Sequence, residues 1–170
     1  MKVISLWQPW ATLVVTGHKQ IETRSWNTHY RGPILIHATK KMPKWEELPP
    51  MLRSQILPML DADEIPDFNY LPKGALIGVV ELEETAPTNH WLSVFGDIIK
   101  TGLATRFAGK EDKERAFGDY GPDRYGWLLS NPIQFKEPIP AKGMQGFWNY
   151  DIDLSKIKKV DTRNFTDAGN

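Results

Sequence analysis

The sequence predicts a mixed α+β protein, mainly β, built as a small barrel with short helices covering the barrel ends. Five or six apolar stretches of strand length recur along the chain, and they do not alternate regularly with long helices. The 170 residues are 41% hydrophobic, which suits one core of ordinary size. We therefore expect a single domain over residues 1–153, followed by a mobile tail over residues 154–170, where the hydrophobic pattern is lost.

The first predicted elements are short. Residues 3–6 form an apolar run typical of a strand, and residues 8–17 predict a short helix. Pro9 lies near the first turn of this helix and Gly17 lies at its end, which are the favoured positions of these residue types. Two more strands are predicted, over residues 21–24 and 32–38.

The middle of the chain is less regular. Residues 43–60 carry apolar side chains at helical spacing, interrupted by prolines at 49, 50 and 58, which predicts one or two short helices. A turn at 71–74 precedes the clearest buried strand, residues 75–82. Residues 85–124 fit either helices or a long excursion.

The last predicted strands cover residues 125–132, which end at a turn, and residues 133–139. After residues 142–148, a short strand is expected to reach Ile152. Trp127 and Trp148 are expected to pack inside the barrel. Residues 109–115 alternate in charge, which predicts a solvated helix start.

Charge is balanced overall but unevenly distributed. The chain has 21 basic and 21 acidic side chains, whereas nucleic-acid-binding proteins usually carry a basic excess. Residues 1–45 hold seven basic side chains and one acidic one, and residues 46–97 hold two basic and ten acidic ones. Either the N-terminal quarter faces an anion, or the two segments pair across the fold.

Several classes of protein are disfavoured. The absence of cysteine excludes disulfides, thiolate metal sites and a cysteine nucleophile. Neither a membrane span nor a secretory signal is apparent, so we expect a soluble cytoplasmic protein without a cofactor. The four histidines lack zinc-site spacing, so no metal site is predicted. His37 is expected to be a satisfied core histidine, and His18 to lie at the rim of a cleft.

The most informative residues surround the strand predicted at 21–24. Side chains two apart on a strand share a face, so Glu22 and Arg24 are expected to form a charge-assisted pair that Lys19 also reaches. Trp7 and Trp26 flank them and suit stacking on a planar ligand. This set suits a phosphate, a nucleobase or acid–base chemistry. It equally suits a surface ion-pair network with the tryptophans in the core.

Residues 17–24, Gly-His-Lys-Gln-Ile-Glu-Thr-Arg, match the Gly-x-Lys-x-x-Glu-x-Arg signature of the ASCH domain, a member of the PUA-like superfamily. The surroundings also resemble that family: residues 5–11, 25–26, 31–32, 36–38, 72–80 and 140–148. The sequence most resembles the ASCH domain that ends a eukaryotic transcriptional coactivator. Free-standing bacterial and phage proteins also carry this form.

The resemblance implies a PUA-like barrel that binds RNA or another single-stranded nucleic acid or nucleotide in a cleft. Lys19, Arg24 and Arg31 would contact phosphate, and Glu22 would contact a base edge or a positioning cation. The full set of binding residues expected from the resemblance is Lys19, Glu22, Arg24, Trp7, Gln8, Trp26 and Arg31.

Two alternatives remain open. Some small ASCH-like proteins deacetylate N4-acetylcytidine with a lysine, a threonine three residues later and a glutamate from a later strand, and others resemble weak ribonucleases. An enzyme of this kind would use Lys19, Glu22 and Glu81, or Glu83 on the same face as Glu81. However, Glu22 occupies the threonine position, and Thr23 is expected on the opposite face of the strand. The second alternative is a protein-interaction module in transcription or translation regulation.

Overall fold

The computed structural model describes residues 1–160, which fold around a six-stranded mixed sheet. Its strands are β1 (Lys2–Leu6), β2 (Ile21–Arg24), β3 (Gly32–Ala38), β4 (Ala75–Pro87), β5 (Tyr125–Pro140) and β6 (Trp148–Asn149). Their order is β2-β5-β4-β3-β1-β6, with β1 and β3 parallel and the other neighbours antiparallel. The α+β class predicted from the sequence is therefore present.

Helices and 3₁₀ segments lie between the strands, and one 3₁₀ segment follows the last strand. The α-helices are α1 (Trp10–Val15), α2 (Pro50–Asp61), α3 (Thr88–Gly96) and α4 (Glu111–Phe117). The 3₁₀ segments are Trp45–Glu47, Phe68–Tyr70, Gly102–Phe107 and Leu154–Lys156. No helix within residues 1–160 is both long and apolar enough to cross a bilayer.

The closed barrel expected from the sequence does not form. Within residues 1–160, no backbone ladder joins the edge strands β2 and β6. Both strands are short, with four and two residues, and so offer few backbone groups for pairing. Trp26, just after β2, instead meets Phe147, just before β6, edge to face with ring centroids 5.3 Å apart. Aromatic contacts therefore link the edges where a barrel would have a ladder.

Helix α1 packs against the sheet and fixes the residues that follow it. Its residues from Ala11 to Val15 are all buried. Ala11, Val14 and Val15 join the core cluster formed with β1, β3 and β4, whereas Leu13 joins a second cluster with α2. Gly17 has a φ of 81°, a left-handed conformation that glycine adopts readily, and the chain turns there toward β2. The predicted glycine stop is therefore confirmed.

Strand β5 is longer than the sequence predicted. The turn expected at its middle is a bulge: Val79 pairs with Ile133 and Glu81 with Ser130, so two β5 residues lie opposite Val80. Asparagine at position 131 has a φ of 48° in this bulge. The proline beside it has no amide N–H to contribute to a ladder, and a bulge tolerates this loss. The strand thus continues to Pro140.

The region from 85 to 124 forms helices. Strand β4 extends to Pro87, and α3, a 3₁₀ segment and α4 follow it. Trp91 of α3 is fully buried and donates a hydrogen bond from Nε1 to the Gly126 carbonyl at 2.9 Å. Phe95 and Phe107 pack edge to face, 5.3 Å apart. Aromatic packing therefore anchors a segment whose sequence shows little periodicity.

Three other predictions concern the helix after residue 43, the two late tryptophans and the last strand. Helix α2 begins at Pro50 and continues past Pro58, because a proline in the last turn removes only one helical hydrogen bond. Trp127 and Trp148 are buried, as predicted. The short last strand ends at Asn149, before the expected Ile152.

The residues after 153 lie partly along β5. The backbone N–H of Val160 donates to the Gln134 carbonyl, and that of Lys136 donates to the Lys158 carbonyl, both at 2.9 Å. Ile157 packs against the cluster around Val3. The rest of the expected tail, residues 161–170, lies outside the described residues.

Candidate functional site

The carboxylate of Glu22 lies between two cations. Its Oε2 is 3.3 Å from Lys19 Nζ, and its Oε1 is 3.6 Å from Arg24 Nη1. Glu22 and Arg24 are separated by two positions on β2, so the expected shared face produces the expected pair. Glu22 is 7% exposed and Lys19 1%, whereas the Arg24 side chain is partly exposed. The signature residues therefore run from the protein interior to its surface.

A second carboxylate, Glu114 of α4, contacts the backbone at the start of β2, close to Lys19 and Glu22. Its two oxygens accept hydrogen bonds from the backbone N–H groups of Gln20 at 2.7 Å and Ile21 at 3.2 Å. Glu114 is 1% exposed. Burial raises its pKa, and the charge of Lys19 and the two N–H donors act in the opposite direction. The sequence predicted that residues 109–115 begin a solvated helix; this prediction is wrong at Glu114, which is buried and binds the backbone at the beginning of β2.

Arg24 lines two adjoining hollows. The first, which we call the wide hollow, has a volume of about 1200 Å³. Its lining includes Trp26, His37, Lys40 and residues 140–146. Three of its lining residues are lysine or arginine (Arg24, Lys40 and Lys142), and among the described residues none that line it is acidic. The wide hollow is therefore an electropositive surface suited to an anion.

The second hollow, which we call the narrow hollow, has a volume of about 480 Å³ and different chemistry. Glu22, Arg24 and Asp119 supply its charges, and Trp10 and Phe117 belong to its apolar lining. Two carboxylates and one guanidinium make this space less favourable for an anion. A flat ligand with N–H donors suits it better.

Trp7 lies where the two hollows adjoin. It lines both of them together with Ser5 and Arg24, and 49% of it is exposed. Lys41 places its Nζ 5.9 Å from the centroid of the Trp7 ring. A half-exposed indole between two hollows is available to stack on a planar group.

The structure places two predicted binding residues away from ligand-accessible positions. Gln8 is buried: its Nε2 donates to the Pro72 carbonyl at 2.8 Å, and its Oε1 accepts from the Thr12 N–H at 3.1 Å. Gln8 therefore connects the start of α1 to the turn before β4. Lys19 is equally buried, and its ammonium also donates to the Ile21 carbonyl.

Arg31 is exposed but lies outside the residues that line either hollow. Its guanidinium donates to the carbonyls of Thr28 and Tyr30 and to Thr85 Oγ1, at 2.8 to 3.0 Å. Trp26 does line the wide hollow, and its ring packs edge-on against Trp127, with centroids 4.7 Å apart. Of the predicted residues, the structure therefore brings Trp7, Glu22, Arg24 and Trp26 together around the hollows.

Glu81 and Glu83, the later carboxylates proposed for an enzyme, form no ion pair with Lys19 within the described residues. Glu81 lies opposite Pro33 of β3 and Ser130 of β5 in the sheet, and burial together with the charge of Glu81 raises the pKa of Tyr30. Glu83 forms an ion pair with Arg106 at 3.0 Å. Within the described residues, the carboxylates beside Lys19 are instead Glu22 and Glu114.

The two histidines singled out from the sequence have different surroundings. His37 is buried and lines the wide hollow; its Nε2 lies 2.9 Å from the Ala141 carbonyl, while its Nδ1 has no partner among the described residues. His37 is therefore only half satisfied. His18 contacts Glu64 at 3.4 Å and Lys113 at 3.2 Å. None of these three residues lines either hollow.

Gly143 lies directly over His37 in the wall of the wide hollow. A Cβ at position 143 would lie 2.7 Å from His37 Nδ1 and 2.9 Å from Ser5 Oγ, closer than side-chain atoms normally approach. Ser5 Oγ donates to the Met144 carbonyl at 3.1 Å. These contacts fix the loop that carries Lys142.

Residues 4–139 match the family model described as "ASCH domain". The chain belongs to the ASCH domain family. Its signature residues Lys19, Glu22 and Arg24 are the three whose charges meet around β2. No group of three or more histidine, aspartate or glutamate side chains within residues 1–160 is arranged to hold a metal ion.

Among curated relatives, the ASCH chain is 30% identical to human "Activating signal cointegrator 1" and 29% identical to the mouse protein of the same name. Each match covers 92% of this chain and 23% of the relative, so the chain spans about a quarter of their length. Among solved structures, "Crystal structure of ASCH from Zymomonas mobilis" superposes with a TM-score of 0.52 at 18% identity. That match covers 94% of this chain and 97% of the other, and supports the fold.

Sequence reasoning missed several residues that line the hollows of this ASCH domain. Lys40 and Lys142 come from segments about a hundred positions apart, and Asp119 and Phe117 come from the region with the weakest pattern. Two weak signals pointed to the lysines alone: Lys40 belongs to the basic N-terminal quarter, and Lys142 lies within residues 140–148, which resemble a family landmark.

Proposed function

We propose that this ASCH domain binds single-stranded RNA in the groove formed by the wide and narrow hollows. The PUA-like fold of ASCH domains is associated with RNA binding. The observation that carries the proposal is the lining of the wide hollow. Arg24, Lys40 and Lys142 line it next to the half-exposed ring of Trp7, and no acidic side chain among the described residues lines it. Cations beside an aromatic face form the usual surface for a single strand.

A single strand fits this groove better than a duplex does. Stacking on Trp7 requires an unpaired base, and paired bases present no free face. Three cations also neutralise only a few phosphates, which suits a short contact. The zero net charge of the chain therefore agrees with a small electrostatic footprint.

The roles of the signature residues follow from their positions. Arg24 contacts phosphate or base from the surface. Lys19, which is 1% exposed, acts by holding Glu22 in place. The proposal thus assigns phosphate contacts to Lys40 and Lys142 as well, which the sequence did not predict.

Salt-dependent binding tests the proposal. Fluorescence anisotropy with a labelled RNA of about eight nucleotides should show affinity falling as salt rises, because phosphate contacts release counterions. The double variant Lys40→Ala/Lys142→Ala should reduce the magnitude of the salt slope by roughly 1.4, at about 0.7 for each contact. The control is Lys158→Ala, an exposed lysine that does not line the hollows.

Three outcomes decide between the alternatives. Binding that is insensitive to salt and to the double variant contradicts the proposal. Turnover of N4-acetylcytidine that disappears in Lys19→Ala would favour the amidohydrolase. Absence of RNA binding together with a co-purifying protein partner would favour the interaction module.

A further inference from the structure

The carboxylate of Glu22 has acceptor capacity that its protein partners do not use. An ionised carboxylate offers about four lone-pair sites. Each oxygen of Glu22 has one cationic neighbour, Lys19 on Oε2 and Arg24 on Oε1. Each oxygen therefore retains an acceptor site, and Glu22 lines the narrow hollow. The hollow thus contains two adjacent acceptors.

Arg24 places donors beside these acceptors. Within the described residues its guanidinium contacts the Glu22 carboxylate and faces the Trp26 ring, 5.7 Å from the ring centroid. A guanidinium has five N–H donors, so several remain for a ligand. The narrow hollow therefore presents one donor group followed by two acceptors.

Among the four RNA bases, only guanine complements this order. Its Watson–Crick edge carries the O6 acceptor, the N1–H donor and the N2–H donor side by side. Adenine and cytosine each place one amino donor beside an acceptor nitrogen, and the single N–H of uracil lies between two oxygens. Single-stranded bases expose this edge to side chains.

We propose that the narrow hollow recognises guanine, with Glu22 accepting from N1–H and N2–H and Arg24 donating to O6. The inference rests on the proposed function and specifies the base that this groove selects.

The walls and charges of the narrow hollow agree with a base as its occupant. Trp10, Phe117 and Pro49 supply apolar surface, and the volume of about 480 Å³ accommodates a purine. Glu22 and Asp119 repel a phosphate group from this space. Because Trp7 and Arg24 line both hollows, a guanine here places its attached phosphate toward Lys40 and Lys142.

Base substitution in the RNA tests the inference on the unaltered protein. Oligouridine strands with one central guanosine, adenosine, cytidine or inosine are compared by anisotropy. The guanosine strand should bind about tenfold more tightly than the others, since each well-made pair of hydrogen bonds discriminates to this extent. Inosine is the decisive comparison, because it lacks only the N2 amino group and would leave one acceptor of Glu22 unpaired.

A matched pair of variants tests the residue assigned. Glu22→Gln keeps the size of the side chain but replaces one acceptor with a donor, so the preference for guanosine over inosine should disappear. Glu83→Gln removes a carboxylate that pairs with Arg106 outside both hollows, and the preference should persist. Thermal unfolding confirms that each variant is folded. If Glu22→Gln does not fold, the comparison of bases on the unaltered protein decides.

The outcomes separate this inference from RNA binding in general. Equal, salt-dependent binding of all four strands overturns guanine recognition and leaves the proposed function standing. Absence of binding to every strand overturns both. If guanosine monophosphate competes as strongly as the guanosine strand does, the narrow hollow binds guanine from a free nucleotide. If guanosine monophosphate competes more weakly, the narrow hollow binds guanine within an RNA strand.

Discussion

Lys19 and Glu22 form an ion pair of 3.3 Å that is almost entirely removed from solvent. Lys19 lies in the segment between α1 and β2, and Glu22 lies in β2. The Lys19 ammonium faces the protein interior, where Glu114 also contributes to its surroundings. In the signature of this ASCH domain, the lysine therefore organises the carboxylate that follows it.

Replacing Lys19 with methionine should lower the free energy of unfolding by about 3 kcal/mol, because it leaves buried carboxylates without their cation. Urea denaturation measures the change. The double variant Lys19→Met/Glu22→Gln should recover part of the loss, since it removes the unpaired charge as well. Unchanged stability combined with lost RNA affinity would instead place Lys19 in contact with the ligand.

Replacing Trp7 with alanine should weaken RNA binding by about 1–3 kcal/mol, the range for stacking of one base on an aromatic ring. Stability should change little, because half of the ring is already exposed. Anisotropy and thermal unfolding measure the two effects. Tyr70→Ala removes another exposed ring, which does not line either hollow, and should leave affinity unchanged.

Replacing Gly143 with alanine should cost about 1–3 kcal/mol of stability and also weaken RNA binding. The added Cβ overlaps His37 and Ser5, so the loop that carries Lys142 must move. Gly96→Ala is the matched control, because open space surrounds position 96 at the end of α3. Denaturant unfolding and anisotropy of both variants test the contrast; equal behaviour of the two would contradict it.

Stability should decrease as the pH falls below about 6.5, the usual pKa of an unfolded histidine. Burial lowers the pKa of His37, and burial together with Lys113 lowers that of His18, so the unfolded chain takes up these protons first. The contribution of neutral His37 is therefore complete above this pH and is lost below it. His37→Gln should reduce the slope of unfolding free energy against pH between about 7.5 and 5.5. An unchanged slope would contradict this assignment.

Local patterns predicted the parts of the site that lie close together in sequence. The two-residue period of a strand predicted the pairing of Glu22 with Arg24, and Gly17 predicted the end of α1. Glu114 was not predictable in this way. Its alternating neighbours indicate solvent, and only the fold brings it to the N–H groups of Gln20 and Ile21, over 90 positions away.

The same distinction explains the errors in the fold. An Asn-Pro pair is typical of a turn, and nothing local distinguishes it from the bulge in β5. Whether a sheet closes into a barrel depends on the lengths of its edge strands and on what meets across the gap. These features emerge only when residues as distant as Trp26 and Phe147 come together.

The contact between Trp26 and Phe147 has a mechanical consequence. Ring contacts tolerate sliding, whereas a hydrogen-bonded ladder resists it because its bonds are directional. Trp26 lines the wide hollow, and Phe147 directly follows residues 140–146, which also line it. Among the described residues, the two edges of the sheet are therefore joined beside the groove by ring contacts alone, so hydrogen-bond geometry does not set their separation there.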